Sequence, residues 1–272
     1  MFEPCSPPIV ANIHLPADTT RKPAPRLPPD AVDSILDFLD YDRKAFQKYC
    51  LVSKSWVYPT RRRLFNRVTF DSYEDLKKWK GCRYSADSPS PCINDIRFPN
   101  AREFLARLDN DYIGWVHQSF ANVVRLELSF KPTRGYIGEG VLTRLSNFLP
   151  TIKSLSIYWN HLSFHDFFNF ISSFRLLEDL HVAGPGNLYR GKEISESLRL
   201  PKLNGTLVLE LARPDFVDKW LKLQDTFQFR KVVWKEKKND FKSFGKVKDL
   251  VSGCSETLEH IDIDSRMSSE SQ

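Results

Sequence analysis

Short stretches of alternating apolar and polar residues recur along most of the chain. The pattern apolar-x-x-apolar-x-apolar returns with its middle residue at Val68, Ile96, Leu126, Leu155, Leu180, Leu207, Val232 and Ile261. The intervals are 28, 30, 29, 25, 27, 25 and 29 residues. VVRLEL, IKSLSI, LEDLHV and LEHIDI are the clearest copies, and LNGTLVLEL around Leu207 fits loosely. Alternation with period two sends successive side chains to opposite faces and predicts a short strand in each copy. Between the copies, AREFLARL, EGVLTRLSNFL, SFHDFFNFISSF and PDFVDKWLKL carry apolar residues at helical spacing. Strand and helix therefore alternate with a regular period, which is an α/β outline.

A period of this length, with a strand, a turn and a helix in each unit, resembles the leucine-rich repeat. The resemblance implies an α/β solenoid over residues 67–264, in which each unit buries its apolar strand face only against its neighbours. A barrel or a doubly wound sheet has the same outline. Strands covered on both faces should be continuous apolar runs, whereas RLELSF and KSLSIYW alternate, which favours one face left open. The asparagine expected three positions beyond the last strand residue occurs once, as Asn160 after Ile157, so the turns must be satisfied in another way. The array is expected to end at IDID, before a polar tail over 265–272, with no visible capping segment.

The first 66 residues follow a different pattern. Six prolines (4, 7, 8, 16, 23 and 25) and no sustained periodicity mark 1–26 as a flexible leader. Pro28 and Pro29 suit the first turn of a helix, where a missing N–H costs nothing. Val32, Ile35, Leu36 and Leu39 then form one helical stripe, with Asp33, Asp37 and Asp40 on the other side. Asp42 is placed to cap a second helix carrying Phe46, Tyr49 and Cys50 inward. A third begins at Ser53, contains Trp56, Leu64 and Phe65, and should kink or restart at Pro59.

The string LPPDAVDSILDFLDYDRKAFQKYCLVSKSWVYPTRRRLF over this region resembles an F-box, the motif that binds the Skp-type adaptor. The opening Leu27-Pro28, the Ile35-Leu36 pair with Leu39, the block Cys50 to Trp56 and the closing Arg63-Leu64-Phe65 coincide with it in order. The Arg-rich end leading into Asn66-Arg67-Val68 is most similar to the fungal branch of the family. The resemblance implies an F-box over 27–66, with Leu27, Pro28, Ile35, Leu36, Leu39, Val52 and Trp56 as the adaptor-binding face. The bland alternative is a three-helix unit that packs on the rest of its own chain. Against it, three short helices cannot enclose all of those apolar residues between themselves, so some must meet another surface.

Composition narrows the function classes. A hydrophobic fraction of 41% and an aromatic fraction of 13% belong to a folded chain rather than a disordered one. No apolar run is long enough for a transmembrane helix, and the N-terminus lacks the basic and apolar regions of a secretory signal. Five scattered cysteines, never spaced C-x-x-C, argue against a disulfide framework or zinc site and for reduced thiols in the cytoplasm or nucleus. The net charge of +6 is local: residues 230–248 hold eight Lys/Arg against Glu236 and Asp240. Within them, Arg230, Lys231, Lys235, Lys237 and Lys238, with Trp234, Phe241 and Phe244 nearby, suggest a patch for nucleic acid or an acidic partner. A solvated face of the seventh repeat explains the same residues.

No phosphate-binding loop, nucleophile elbow or zinc-protease helix is present. His161 and His165, beside Asp166, are four apart, but nothing else at ligand spacing joins them. Cys82 and Cys92 frame a Ser/Pro loop. The first reading is therefore a non-catalytic adaptor without a cofactor. It would join a Skp-type adaptor, and through it a cullin, to an unidentified protein substrate, with no membrane partner. The second reading is a repeat scaffold or nucleic-acid-binding protein without a ligase role.

Overall fold

The computed structural model describes residues 27–38, 42–49, 51–82, 90–107, 110–130, 150–158, 164–184, 198–210, 214–223, 227–236 and 241–265. Three short helices come first: α1 (Pro29–Asp37), α2 (Arg43–Tyr49) and α3 (Lys54–Leu64). Pro29 opens α1, and the Pro28 carbonyl accepts the N–H groups of Ala31 and Val32. Asp42 caps α2 as expected, its Oδ1 accepting the N–H groups of Lys44 and Ala45 at 2.9 and 3.2 Å. α3 does not restart at Pro59 but runs through it as one helix. Buried Trp56 and Thr60 hold α3 on both sides of the proline. One turn later, Arg63 reaches α1, where it donates to Asp33 Oδ1, to the Asp33 carbonyl and to Asp37 Oδ1. Val32, Leu36, Phe46 and Trp56 form a small core of their own, flanked by Tyr49 and Leu64.

Eight strands follow: β1 (Arg67–Thr69), β2 (Asp95–Phe98), β3 (Arg125–Ser129), β4 (Ser154–Tyr158), β5 (Asp179–Ala183), β6 (Thr206–Glu210), β7 (Lys231–Glu236) and β8 (His260–Ser265). They form one parallel sheet in the order β1 to β8, each strand pairing with the next in sequence. Val68, Ile96, Leu126, Leu155, Leu180, Leu207, Val232 and Ile261, the middle residues of the sequence pattern, stand in one row across all seven pairings. The loosely fitting copy at Leu207 is thus in register between Leu180 and Val232. β1 and β8 do not pair, so the sheet is open rather than a barrel. Its order never reverses, which excludes the doubly wound arrangement.

Just before each strand, the backbone does what an asparagine ladder would do. The carbonyls of Asn66, Asn94, Val124, Lys153, Gly205 and Arg230 each accept two successive N–H groups from the following unit, at 2.8 to 3.3 Å. Asn94 Nδ2 adds a side-chain bond to Asn66 Oδ1 at 2.9 Å. Thr151 and Thr257 donate across units to the carbonyls of Val123 and Phe229. The tight chain entry into every strand therefore leaves few orphan groups, although the side chains at this position are not conserved in type from unit to unit.

The step into β6 departs from this rule. The Glu178 carbonyl accepts only the Gly205 N–H, while Asp179 Oδ1 takes the N–H of Thr206 at 2.7 Å. The carboxylate is folded over Gly205, and a Cβ there would overlap Asp179 Oδ1 and come to 3.0 Å from the Glu178 carbonyl. Gly205→Ala is therefore expected to lower stability by about 1–3 kcal/mol, the usual cost of overpacking, read as a shift in the urea midpoint.

Six further helices are described: α4 (Tyr73–Cys82), α5 (Ala101–Ala106), α6 (Asn110–Ser119), α7 (Phe164–Ser172), α8 (Pro214–Leu223) and α9 (Phe241–Gly253). Ser72 and Asp75 form a reciprocal cap at the start of α4. The helices lie over the apolar sheet face, and one buried cluster runs from Val68 to Cys254. Aromatic rings bridge successive units: Phe168 stacks on Phe216 at 5.7 Å, and Trp220 contacts Phe168, Phe227 and Phe229. Rings this large fill the space between a short strand and its helix with few rotors to freeze.

Candidate functional site

Two surfaces stand out, one on the three helices and one on the sheet. The residues of the expected adaptor-binding face divide into two groups. Leu27 and Pro28 are exposed before α1, as are Ile35 on it and Val52 ahead of α3. Leu36 and Trp56 instead face inward; Leu36 is 1% exposed, and Trp56 packs against Tyr49 with ring centroids 5.6 Å apart. They hold the three helices together and do not stand on the surface. Leu39 lies outside the described residues.

Three exposed apolar residues that the sequence reading did not single out join the outer group. Phe38 is 89% exposed, Leu51 86% and Tyr58 68%. Six of the ten large apolar residues exposed among the described residues lie between 27 and 58, so apolar surface is concentrated on this small unit. An unit with its own core and this much uncovered apolar side-chain area has the features of a binding surface. A signal for the missing residues existed: Phe38 lies three after Ile35, on the same helix flank.

On the sheet, the side facing away from the helices carries the alternate residues. Its second row reads Thr69, Arg97, Glu127, Ser156, His181, Val208, Val233 and Asp262. Arg97 Nε lies 3.0 Å from Glu127 Oε2, and His181 Nε2 lies 3.6 Å from Glu210 Oε2. Both nitrogens are buried without a well-aligned hydrogen bond, so Arg97–Glu127 is a charge contact, and His181–Glu210 becomes one only when the imidazole is protonated. Tyr158 meets His181 edge-on with centroids 5.3 Å apart. Burial pushes the Tyr158 phenol above its ordinary range, and Glu127 and Glu210 add to that.

Burial lowers the pKa of His181 below its usual 6.5; Lys235 acts in the same direction, and Glu210 opposes both. A histidine whose folded pKa is lowered is protonated first in the unfolded chain, so it favours folding above the unfolded value. Stability is therefore expected to fall as pH drops below about 6.5, levelling once the folded histidine titrates. His181→Gln should flatten this portion of a stability–pH curve measured by urea unfolding.

Of the basic patch, Lys231 and Lys235 share β7 and point to the same side as His181, and Arg230 is exposed just before them. Lys237 and Lys238 lie outside the described residues. Farther along, Lys246 is engaged by Asp218 at 2.6 Å, so the run does not act as one array of open cations. His165 bonds to Asn169 one turn along α7, and His161 lies outside the described residues. No group of three His, Cys, Asp or Glu side chains comes together among the described residues. Cys92 and Cys254 are buried; burial raises both thiols, Cys254 to about 11, so neither is a ready nucleophile at neutral pH. No helix among the described residues is long and apolar enough to cross a membrane. Compared with known proteins, the chain matches no protein-family model and no curated protein.

Proposed function

We propose that the chain is an F-box substrate receptor of a Skp–cullin–F-box ubiquitin ligase. Residues 27–66 dock on a Skp-type adaptor, and a leucine-rich-repeat-like solenoid over 67–264 holds a protein target. The observation that carries this reading is the ordered coincidence of Leu27-Pro28, Ile35-Leu36, the block ending at Trp56 and Arg63-Leu64-Phe65 with the F-box pattern. The exposed Leu27, Ile35 and Val52, beside a separate small core, support it. The sequential open sheet with one strand per period supports the solenoid reading.

The mechanism is proximity. Holding a target beside a charged ubiquitin-conjugating enzyme raises its effective concentration, so the receptor needs no catalytic residue or cofactor. Such a receptor works in the cytoplasm or nucleus, where the adaptor and cullin are found. The test is co-purification of the full chain with a Skp-type adaptor. The wild type is expected to form a one-to-one complex, and Leu27→Ala with Pro28→Ala is expected to lose it while the repeats stay folded. Binding retained by the folded double variant would remove these residues from the docking surface. A folded wild-type chain that ignores the adaptor would leave the second reading, a scaffold using Lys231 and Lys235, whose binding should weaken steeply with salt.

A further inference from the structure

β8 is the outermost strand of the sheet, and only β7 pairs with it among the described residues. The His260 N–H turns inward, to the Arg230 carbonyl at 3.0 Å. Backbone direction alternates along a strand, so the N–H and C=O groups of Ile261 and Ile263 face outward. Their side chains continue two rows that are buried in every earlier strand. The row from Val68 to Val232 is 8% exposed or less, but Ile261 is 44% exposed. The row of Phe98, Leu128, Ile157, Val182, Leu209 and Trp234 is 3% exposed or less, but Ile263 is 45% exposed. An edge with outward donors and acceptors and two uncovered isoleucines is a template for one more strand.

Charge decides which strand fits. From Cys254 to Ser265 the chain holds Glu256, Glu259, Asp262 and Asp264 and no Lys or Arg. Asp262 is exposed, lies between the two isoleucines on the other side of the strand, and stands beside Val233 in the register. It forms no ion pair among the described residues. Lys231 and Lys235 stand on the β7 side, beside His260 and Asp264. A second copy of β8 fits this edge poorly. Antiparallel pairing through the outward groups would set Ile261 opposite Ile263 and each Asp262 directly opposite its counterpart, and like charges so placed are destabilising. A strand alternating apolar residues with Lys or Arg instead covers both isoleucines and gives Asp262 a cation. β7 presents that pattern on the inner side, with Val232 and Trp234 beside the isoleucines and Lys235 beside Asp264.

We infer that the outer edge of β8 takes up, by strand addition, an extended segment of a partner protein in which Lys or Arg alternates with apolar residues. Main-chain bonds to Ile261 and Ile263 supply affinity, and the pattern of the segment's side chains supplies selectivity. The acids at the edge admit such a segment and keep copies of the chain from pairing with each other. This edge lies at the opposite end of the sheet from β1, so the inference does not rest on the adaptor reading.

Fluorescence anisotropy with the full chain tests this using three labelled peptides: one alternating lysine and valine, one with the same residues in two blocks, and one alternating glutamate and valine. The first should bind at one site per chain, the second several-fold more weakly, and the third without a measurable signal. N-methylation of the first peptide's amides should abolish its binding, because it removes the donors and leaves the charge. Asp262→Lys, a change at an exposed position, should weaken the alternating peptide about tenfold with an unchanged unfolding midpoint. Equal binding of the alternating and blocked peptides would overturn strand addition, as would full binding of the N-methylated form. Undiminished binding by folded Asp262→Lys, or no binding of the alternating peptide to the wild type, would overturn the site. A wild-type chain that sediments as a dimer, and is dissociated by Ile263→Lys, would overturn the choice of partner and assign the edge to a second copy.

Discussion

Ile35→Glu combined with Val52→Glu is expected to abolish the proposed adaptor binding without changing the unfolding curve, whereas Leu36→Ala should weaken both. The difference follows from burial. Ile35 is 40% and Val52 60% exposed, while Leu36 is 1% exposed inside the core with Val32, Phe46 and Trp56. A carboxylate at either exposed site meets water in the free protein and costs the fold little. Inside an apolar interface it would be desolvated without a partner, and a lost anchor commonly costs about 2 kcal/mol or more. Two such changes should together reduce affinity by about a thousandfold.

Leu36→Ala removes core volume instead, at about 2–5 kcal/mol, which is a large share of what three short helices can supply. Its loss of binding should therefore be accompanied by loss of helical signal and be partly restored at lower temperature. Circular dichroism together with a pull-down separates the two cases. If Ile35→Glu with Val52→Glu still binds the adaptor, the exposed apolar surface serves some other partner.

Leu180→Ala is expected to destabilise the repeats far more than Ile261→Ala, although both residues occupy the same strand row. Leu180 is 1% exposed and sits between Leu155 and Leu207, whereas Ile261 is 44% exposed on the last strand. The cavity at Leu180 should cost about 3 kcal/mol. Each strand bonds only to its neighbours in sequence, so damage in the middle uncouples the units on both sides. At the half-exposed Ile261 the loss should stay under about 1 kcal/mol. Urea unfolding with two probes, such as tryptophan fluorescence and circular dichroism, is expected to give a lower midpoint for Leu180→Ala and non-coincident transitions. Equal effects at the two positions would contradict a stability built from neighbour contacts.

These contrasts also mark how far the chain could be read without its structure. The row from Val68 to Ile261 was legible because period-two alternation is a local property, and stacked strands inherit their register from it. Asp42 as a cap was legible for the same reason, since its bonds reach only two and three residues ahead. A restart at Pro59 would have followed from local sterics alone, and packing of Trp56, Thr60 and Arg63 against the neighbouring helices keeps α3 continuous. The stripe of Val32, Ile35 and Leu36 marked an apolar helix side but not which flank would be enclosed. That depended on how α2 and α3 cross it.

The sheet side opposite the helices shows the same division. Polar positions within each strand were plain from alternation, but the meeting of Tyr158, His181 and Glu210 spans 52 residues of sequence and depends on the register of three strands. The bridge from Arg63 to Asp33 and Asp37 had no sequence signature, because charges scattered along a chain look like ordinary surface charge. What the order of residues determined was everything governed by neighbours in sequence: the repeat period, the strands, the first helix caps and the F-box-like string. Which apolar residues of that string stay uncovered, how backbone carbonyls replace an asparagine ladder, and where charges converge were decided only by tertiary structure. Burial and long-range electrostatics depend on distances between elements, and those distances exist only once the elements have packed.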